Sequence, residues 1–429
     1  MLRRLAAVLA AVSLIAAANP KVNPEALGFD AQRLARLDAY VAKTVTSGRV
    51  AGMVTLLARH GQVVAEKPYG VSSIATGAPM SVDTIFRLYS MSKPITGVAM
   101  MMLWEEGKWR LDEPVTDFVP EFRNLKVYTG KNADGTLAVE PVKRPMTMRQ
   151  LMSHSAGFGY GLFEEHPVDK LYRDKGVLTA NGLADMIKRT ADIPLMYQPG
   201  TQWSYSSAVD IQGYIIEKLS GQKFGEFLQQ RIFQPLKMTD TAFYVPRDKA
   251  SRLAAIYIPN MMGKIDEAKA LFGIQMPTYL EPPALESGGG GMVGTIGDYG
   301  RFAQMLVNKG TLDGVRLLAP ATVELMGTNM LSHEVLARGD GLPTLGLRFD
   351  ETTGFGLDFQ VMMDPRAAGH LEGKGTISWE GAAGTWFWVD PTNDIVFVGM
   401  EQRLGDVAND SPARMARTLT YQALVHPEK

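Results

Sequence analysis

Strand-forming runs crowd the two ends of this 429-residue chain, and a long helical stretch separates them. Near the start, Met53 to Ala58 and Val63 to Glu66 are β-type runs, with His60-Gly61 between them as a turn. Near the end, Phe359 to Met363, Gly375 to Trp379, Thr385 to Val389 and Ile395 to Met400 alternate or run apolar, and Asp390 to Asp394 reads as a hairpin turn. From about 90 to 250 the pattern is mostly helical, while 30–47 and 411–425 add a helix near each end. Strands at both ends imply one sheet that receives both. The expected fold is α+β: a mixed, mainly antiparallel sheet flanked by helices, with an inserted, mainly helical lobe. We place the sheet domain at 19–88 and 280–429, the helical domain at 89–279, and the site in the cleft between them.

Composition narrows the function. The formal net charge is -1 with 21% charged residues, so the basic excess of a nucleic-acid binder is missing. There is no cysteine, which removes disulfides, a lipid-bearing cysteine and a thiol nucleophile. His333-Glu334 is not followed by a second histidine at zinc-ligand spacing, so neither a metal nor another cofactor is expected. Residues 1–18 stand apart: Arg3 and Arg4, an apolar run from Leu5 to Ile15, then Ala16-Ala17-Ala18. That is the anatomy of a cleavable secretory signal, and the run is shorter than the ~20 residues a membrane span needs. A secreted or periplasmic protein with no membrane insertion after cleavage is the expectation.

Two places match Ser-x-x-Lys. A lysine three residues after a serine lies one helical turn away on the same face, and a serine at a helix N-terminus feels the positive end of the dipole. Ser90, with Lys93, precedes the apolar run Val98 to Trp104, which reads as a helix buried on every side. Ser220, with Lys223, closes a helix before Gly221 and reads as a cap. A second element, Trp203-Ser204-Tyr205-Ser206-Ser207, supplies a phenol. Neither phenol nor amine is a base at neutral pH alone; beside each other, a cation favours a phenolate, or burial a neutral amine. A third, Trp379-Glu380-Gly381-Ala382, ends a predicted strand, where the amides of Ala382 and Ser90 would form an oxyanion hole.

Taken in order, these elements resemble the serine β-lactamase and penicillin-binding-protein superfamily, and most closely the family VIII carboxylesterases, which carry W-x-G where a class C β-lactamase has K-T-G. The resemblance continues through Leu111-Asp112-Glu113-Pro114-Val115, Leu151 to Gly157, Pro199-Gly200 and Gly354-Phe355-Gly356-Leu357. It implies that Ser90 is acylated, that Lys93 and Tyr205 form the base pair, and that Ala382 completes the oxyanion hole. Ser207, Trp379, Glu380 and Gly381 would line the substrate. Ser207 stands where many lactamases have Asn, and Trp379 where they have a cationic lysine. Both departures point to uncharged, apolar ester substrates, without excluding lactams.

A β-lactamase, a D-amino-acid peptidase or an acyltransferase would use the same scaffold, and a silent binding protein is the reading from another class. The run Gly289-x-Gly291-x-x-Gly294 imitates a dinucleotide fingerprint, but no strand precedes it. It reads as a bend, with Thr295 and Asp298 capping the next helix. His154 reads as structural. The excursions 127–145, 161–180 and 254–285 carry Phe163, Tyr172, Tyr257, Met261, Met262 and Phe272, either as an apolar wall or as core.

Overall fold

The computed structural model describes residues 22–162, 166–271, 274–342, 346–405 and 411–426. The expected signal at 1–18 and the side chains of Phe163 and Phe272 lie outside the described residues.

The sheet has seven strands: β1 (Gly52–Arg59), β2 (Gln62–Gly70), β3 (Thr353–Phe355), β4 (Gln360–Met362), β5 (Ile377–Gly381), β6 (Thr385–Asp390) and β7 (Ile395–Met400). Their spatial order is β3-β4-β5-β6-β7-β1-β2, and every pairing is antiparallel. The N-terminal hairpin therefore adds to the edge of the C-terminal meander, with Val54 opposite Met400 and Arg59 opposite Ile395. His60 (φ 52) and Gly61 (φ 71) make the tight turn between β1 and β2, whose positive φ values match the twist of the strands. At the other hairpin, the Asp390 carboxylate accepts from the amides of Thr392 and Asn393.

Both faces of the sheet are covered, which explains why its central strands read as nearly continuous apolar runs. Met53, Leu57, Trp386, Trp388 and Phe397 face α1 (Ala31–Thr46) and the C-terminal helix Pro412–Tyr421. Val54, Leu56, Phe387, Val398 and Met400 face the opposite way, into a core that continues without interruption into the helical part. There α2 (Ser92–Glu105) is buried from Ser92 to Leu103 and packs against α3 (Ala208–Ser220). Gly107, at φ 76, turns the chain away after α2. Thr295 caps α4 (Ile296–Val307) by accepting from the Asp298 amide; the Asp298 carboxylate instead holds Asp240 N and Thr241 Oγ1.

The second Ser-x-x-Lys pair is a helix end: the Ser220 hydroxyl donates to Ile216 O at 2.6 Å, and Lys223 is exposed. Of the aromatic and methionine residues in the excursions, Tyr172 and Tyr257 are core, whereas Met261 and Met262 are exposed at the tip of the hairpin Tyr257–Pro259/Ile265–Glu267. No helix among the described residues is long and apolar enough to cross a membrane.

Candidate active site

Ser90 lies in a single 3-10 turn, Tyr89–Met91, which runs directly into α2. Three neighbours set this turn. Phe86–Arg87 pairs with Val293–Gly294, and the Leu88 amide donates to Met292 O at 2.9 Å. The Thr385 hydroxyl at the start of β6 donates to Leu88 O at 3.0 Å. The Tyr299 hydroxyl on α4 donates to Met91 O at 3.0 Å. Between them Tyr89 is held at φ 45, a left-handed conformation that costs an aromatic residue of order 1–3 kcal/mol and persists only where the surroundings over-determine it.

The next turn of α2 brings Lys93 beneath the serine. Its side chain is fully buried, and its ammonium donates to Ser90 Oγ at 3.2 Å, Tyr160 OH at 3.1 Å and Gly289 O at 2.5 Å. The Tyr205 hydroxyl reaches the same Ser90 Oγ at 2.7 Å, and the Lys93 nitrogen sits 4.5 Å from the Tyr205 ring centre. Burial alone pushes the Lys93 amine down, but the phenolic oxygens of Tyr160 and Tyr205 outweigh it and leave the amine above its ordinary value. Lys93 is thus the cation of the site. Tyr160 stays a neutral phenol, because burial raises it further than Lys93 lowers it.

The tyrosines are placed by two adjoining loops. The Ser204 amide donates to His154 O at 2.9 Å, and His154 Nδ1 meets Ser206 Oγ at 2.8 Å. Both the amide and the hydroxyl of Ser207 donate to Gly159 O, at 2.9 and 3.2 Å. On the other side of Gly159, the amides of Tyr160 and Gly161 donate to Asp169 Oδ1. The Tyr205 ring is stacked on Trp203 at 5.9 Å and 12°, and leans on Trp379 at 5.7 Å. His154 is buried against these rings, its imidazole held far below its ordinary value by burial and then by the charge of Lys93.

Ser90, Lys93 and Tyr205 therefore meet at one point. Trp379 on β5 joins them through the Tyr205 ring, and its buried indole N–H has no hydrogen-bond partner among the described residues. Gly381 ends β5 against the nucleophile turn, where a Cβ would collide with Leu88 O and Thr385 Oγ1. Its lack of a side chain serves the approach of two backbone segments. Ala382, which follows, is exposed, as is Glu380. Ser207 is fully buried with its hydroxyl turned to Gly159.

Two groups in the site escape the motif reading, Tyr160 and the Gly289 carbonyl, both ligands of Lys93. The alternation Gly157-Phe158-Gly159-Tyr160-Gly161 was the available signal. Gly159 has no room for a Cβ beside Asp169 and Tyr172, so closely packed backbone presents Tyr160 to the lysine.

Known proteins carry the same arrangement of chain. The family model described as Beta-lactamase matches residues 37–422. Protein Rv1367c of Mycobacterium tuberculosis is 34% identical over 383 residues, covering 88% of this chain and 92% of its own. Esterase EstB of Burkholderia gladioli is 32% identical over 387 residues, covering 86% of this chain and 90% of its own. Among solved structures, EstCE1, described as a hydrolase with promiscuous acyltransferase activity, superposes with a TM-score of 0.74 at 27% identity, covering 91% of this chain and 99% of its own.

Proposed function

The chain belongs to the β-lactamase family, and on that premise we propose that it is a serine hydrolase that cleaves carboxylic esters through an acyl-enzyme on Ser90. The observation that carries this reading is the position of Ser90 Oγ, 2.7 Å from the Tyr205 hydroxyl and 3.2 Å from the Lys93 ammonium. An ammonium cannot take the serine proton, so Tyr205 takes it as a phenolate balanced by Lys93. Ser90 Oγ then attacks the ester carbonyl carbon. The negative oxygen is received by the amides of Ser90 and Ala382, donors of a kind worth about 10²–10³ in rate each. As the C–O bond to the alcohol breaks, Tyr205 returns the proton to the alcohol oxygen. Water follows the same route: its proton goes to Tyr205 and its oxygen to the acyl carbon, and as the bond from Ser90 Oγ to the acyl carbon breaks, Tyr205 returns that proton to Ser90 Oγ.

Trp379 supports an uncharged substrate. A buried aromatic packed on Tyr205 and on Phe355 (5.4 Å) offers area and no cation for a substrate carboxylate. Short, uncharged acyl groups are the proposed class. The relative named an esterase supports ester cleavage, and EstCE1 supports acyl transfer to an alcohol from the same intermediate as the second reading. The basic and apolar pattern of residues 1–18, read as a secretory signal, supports a secreted or periplasmic location.

The test is hydrolysis of a short-chain p-nitrophenyl ester and of a chromogenic cephalosporin by wild type and Ser90→Ala. Ester turnover that disappears in the variant, with little lactam turnover, is the expected result. Strong lactam turnover would make the protein a lactamase. Ester turnover that survives Ser90→Ala would overturn the nucleophile. Activity appearing only with an added alcohol acceptor would establish transfer.

A further inference from the structure

Lys93 poses an electrostatic question. Its ammonium is fully buried, yet no carboxylate among the described residues lies within ion-pair distance of it. A buried charge without a compensating charge is costly. The glycine bend at Ser287–Gly291 leads to the compensating group. Gly289 O accepts from Lys93 at 2.5 Å, while Gly289 N donates to Asp210 Oδ1 at 3.2 Å. The same carboxylate oxygen accepts from Ser287 Oγ at 2.5 Å, and the adjacent Gly288 O accepts from Thr96 Oγ1 at 3.1 Å. The bend is thus clamped between α2 and α3. It must be glycine: a Cβ on Gly289 would stand 2.7 Å from Asp210 Oδ2 and 2.8 Å from Tyr160 OH.

We propose that Asp210 is a positioning residue of this acyl-transfer site: through the Gly289 backbone it fixes the carbonyl that anchors Lys93, and it adds a buried carboxylate to the groups that keep Lys93 an ammonium. The oxygens of Tyr160 and Tyr205 also favour the ammonium, but neither is a fixed carboxylate. Tyr160 is a neutral phenol, and Tyr205 is the group that trades protons with Ser90. His154 is held neutral, and burial keeps the Asp358 carboxyl far above the ordinary carboxylate range. Burial leaves the Asp210 carboxyl above its ordinary value, opposed by the Ser287 hydroxyl, the charge of Lys93 and the Gly289 amide. The inference rests on the Ser90 reading above.

The test uses full-length protein and an unactivated alkyl ester that withstands high pH. Asp210→Asn keeps the side-chain shape and removes the charge. Its kcat is expected to fall on the order of tenfold or more with KM within about twofold, the pattern of a group acting on the chemical step. The alkaline descent of kcat/KM is expected to begin about one pH unit lower, because losing a nearby negative charge lowers the amine. Ser287→Ala, which removes the hydroxyl but leaves the Gly289 amide on Asp210 Oδ1, should lower kcat by a few fold and move that descent less than Asp210→Asn does. It also serves if Asp210→Asn fails to fold. A wild-type kcat and pH profile in Asp210→Asn, or a wild-type kcat in Ser287→Ala, overturns the inference. Full turnover in Ser90→Ala would instead locate the failure in the underlying reading.

Discussion

The hydroxyl of Tyr205 lies 2.7 Å from Ser90 Oγ across 115 positions of chain. The contact exists because the loop before α3 and the turn before α2 are each fixed by hydrogen bonds that involve neither residue's reactive oxygen. Removing one oxygen should therefore disable the chemistry while leaving its frame intact.

Tyr205→Phe is the direct form of that experiment. The ring keeps its stacking on Trp203 and its contact with Trp379, so the melting temperature should stay close to wild type. Ester turnover should fall by about 10²–10⁴, the scale of a lost general acid–base. Steady-state kinetics beside a thermal melt checks both halves; a fall of less than tenfold would remove Tyr205 from the base role.

Lys93→Met replaces a buried cation with an apolar chain of similar length. Activity should drop at least as far as in Tyr205→Phe. The amine stands above its ordinary value in the folded protein, so its stabilising contribution is complete below the unfolded value near ~10.4 and fades as pH rises through the folded value. The stability gap between wild type and variant should accordingly stay constant up to about pH 10 and narrow above it, as denaturant titrations from pH 8 to 12 would read. A gap that widens with pH contradicts the assignment of Lys93 as the cation.

His154 carries the opposite linkage. Burial and Lys93 depress its imidazole, so below about pH 6.5 the unfolded chain binds a proton that the folded one refuses. Stability should fall with acid from there, by up to about 1.4 kcal/mol per pH unit for this group while its folded value is not reached. His154→Gln should flatten that part of the curve relative to wild type. Parallel curves for the two proteins would show that His154 does not couple to folding.

Gly381→Ala tests the back of the site. The added methyl meets Leu88 O and Thr385 Oγ1, so the end of β5 must move away from the nucleophile turn. We expect a loss of kcat, since the amide of Ala382 moves with it, together with a loss of stability of the kind overpacking causes, about 1–3 kcal/mol, read as a lowered melting temperature. A variant with unchanged kcat would separate Ala382 from the oxyanion hole.

Much of this could be read from the chain alone, and the reason is local. The strands β1, β2 and β4 to β7 and their turns follow from alternating or continuous apolar runs and from His60-Gly61 and Asp390, whose conformations are set by immediate neighbours; β3, three residues long, was not among the expected strands. The observed bounds differ by only a few residues from those expected, as in Ile395–Met400. Ser90 and Lys93 are legible for the same reason, since one helical turn joins them. Tyr205 and Trp379 came from a resemblance in the order of motifs, which carries information about distant contacts that spacing lacks.

What only the tertiary structure decided are the contacts made across packed backbones. Tyr160 is 67 positions from Lys93 and Gly289 is 196, and no periodicity links them. The glycine bend looked like a failed nucleotide loop because its function depends on what lies beside it, the Asp210 carboxylate and the Tyr160 hydroxyl. Ser207 is serine in a position suited to touching substrate, yet the carbonyl of Gly159 captures its hydroxyl. The charge state of Lys93 is likewise a property of its surroundings. Local sequence sets which groups are present and how the chain turns; burial and the neighbours supplied by the fold set which proton each group holds.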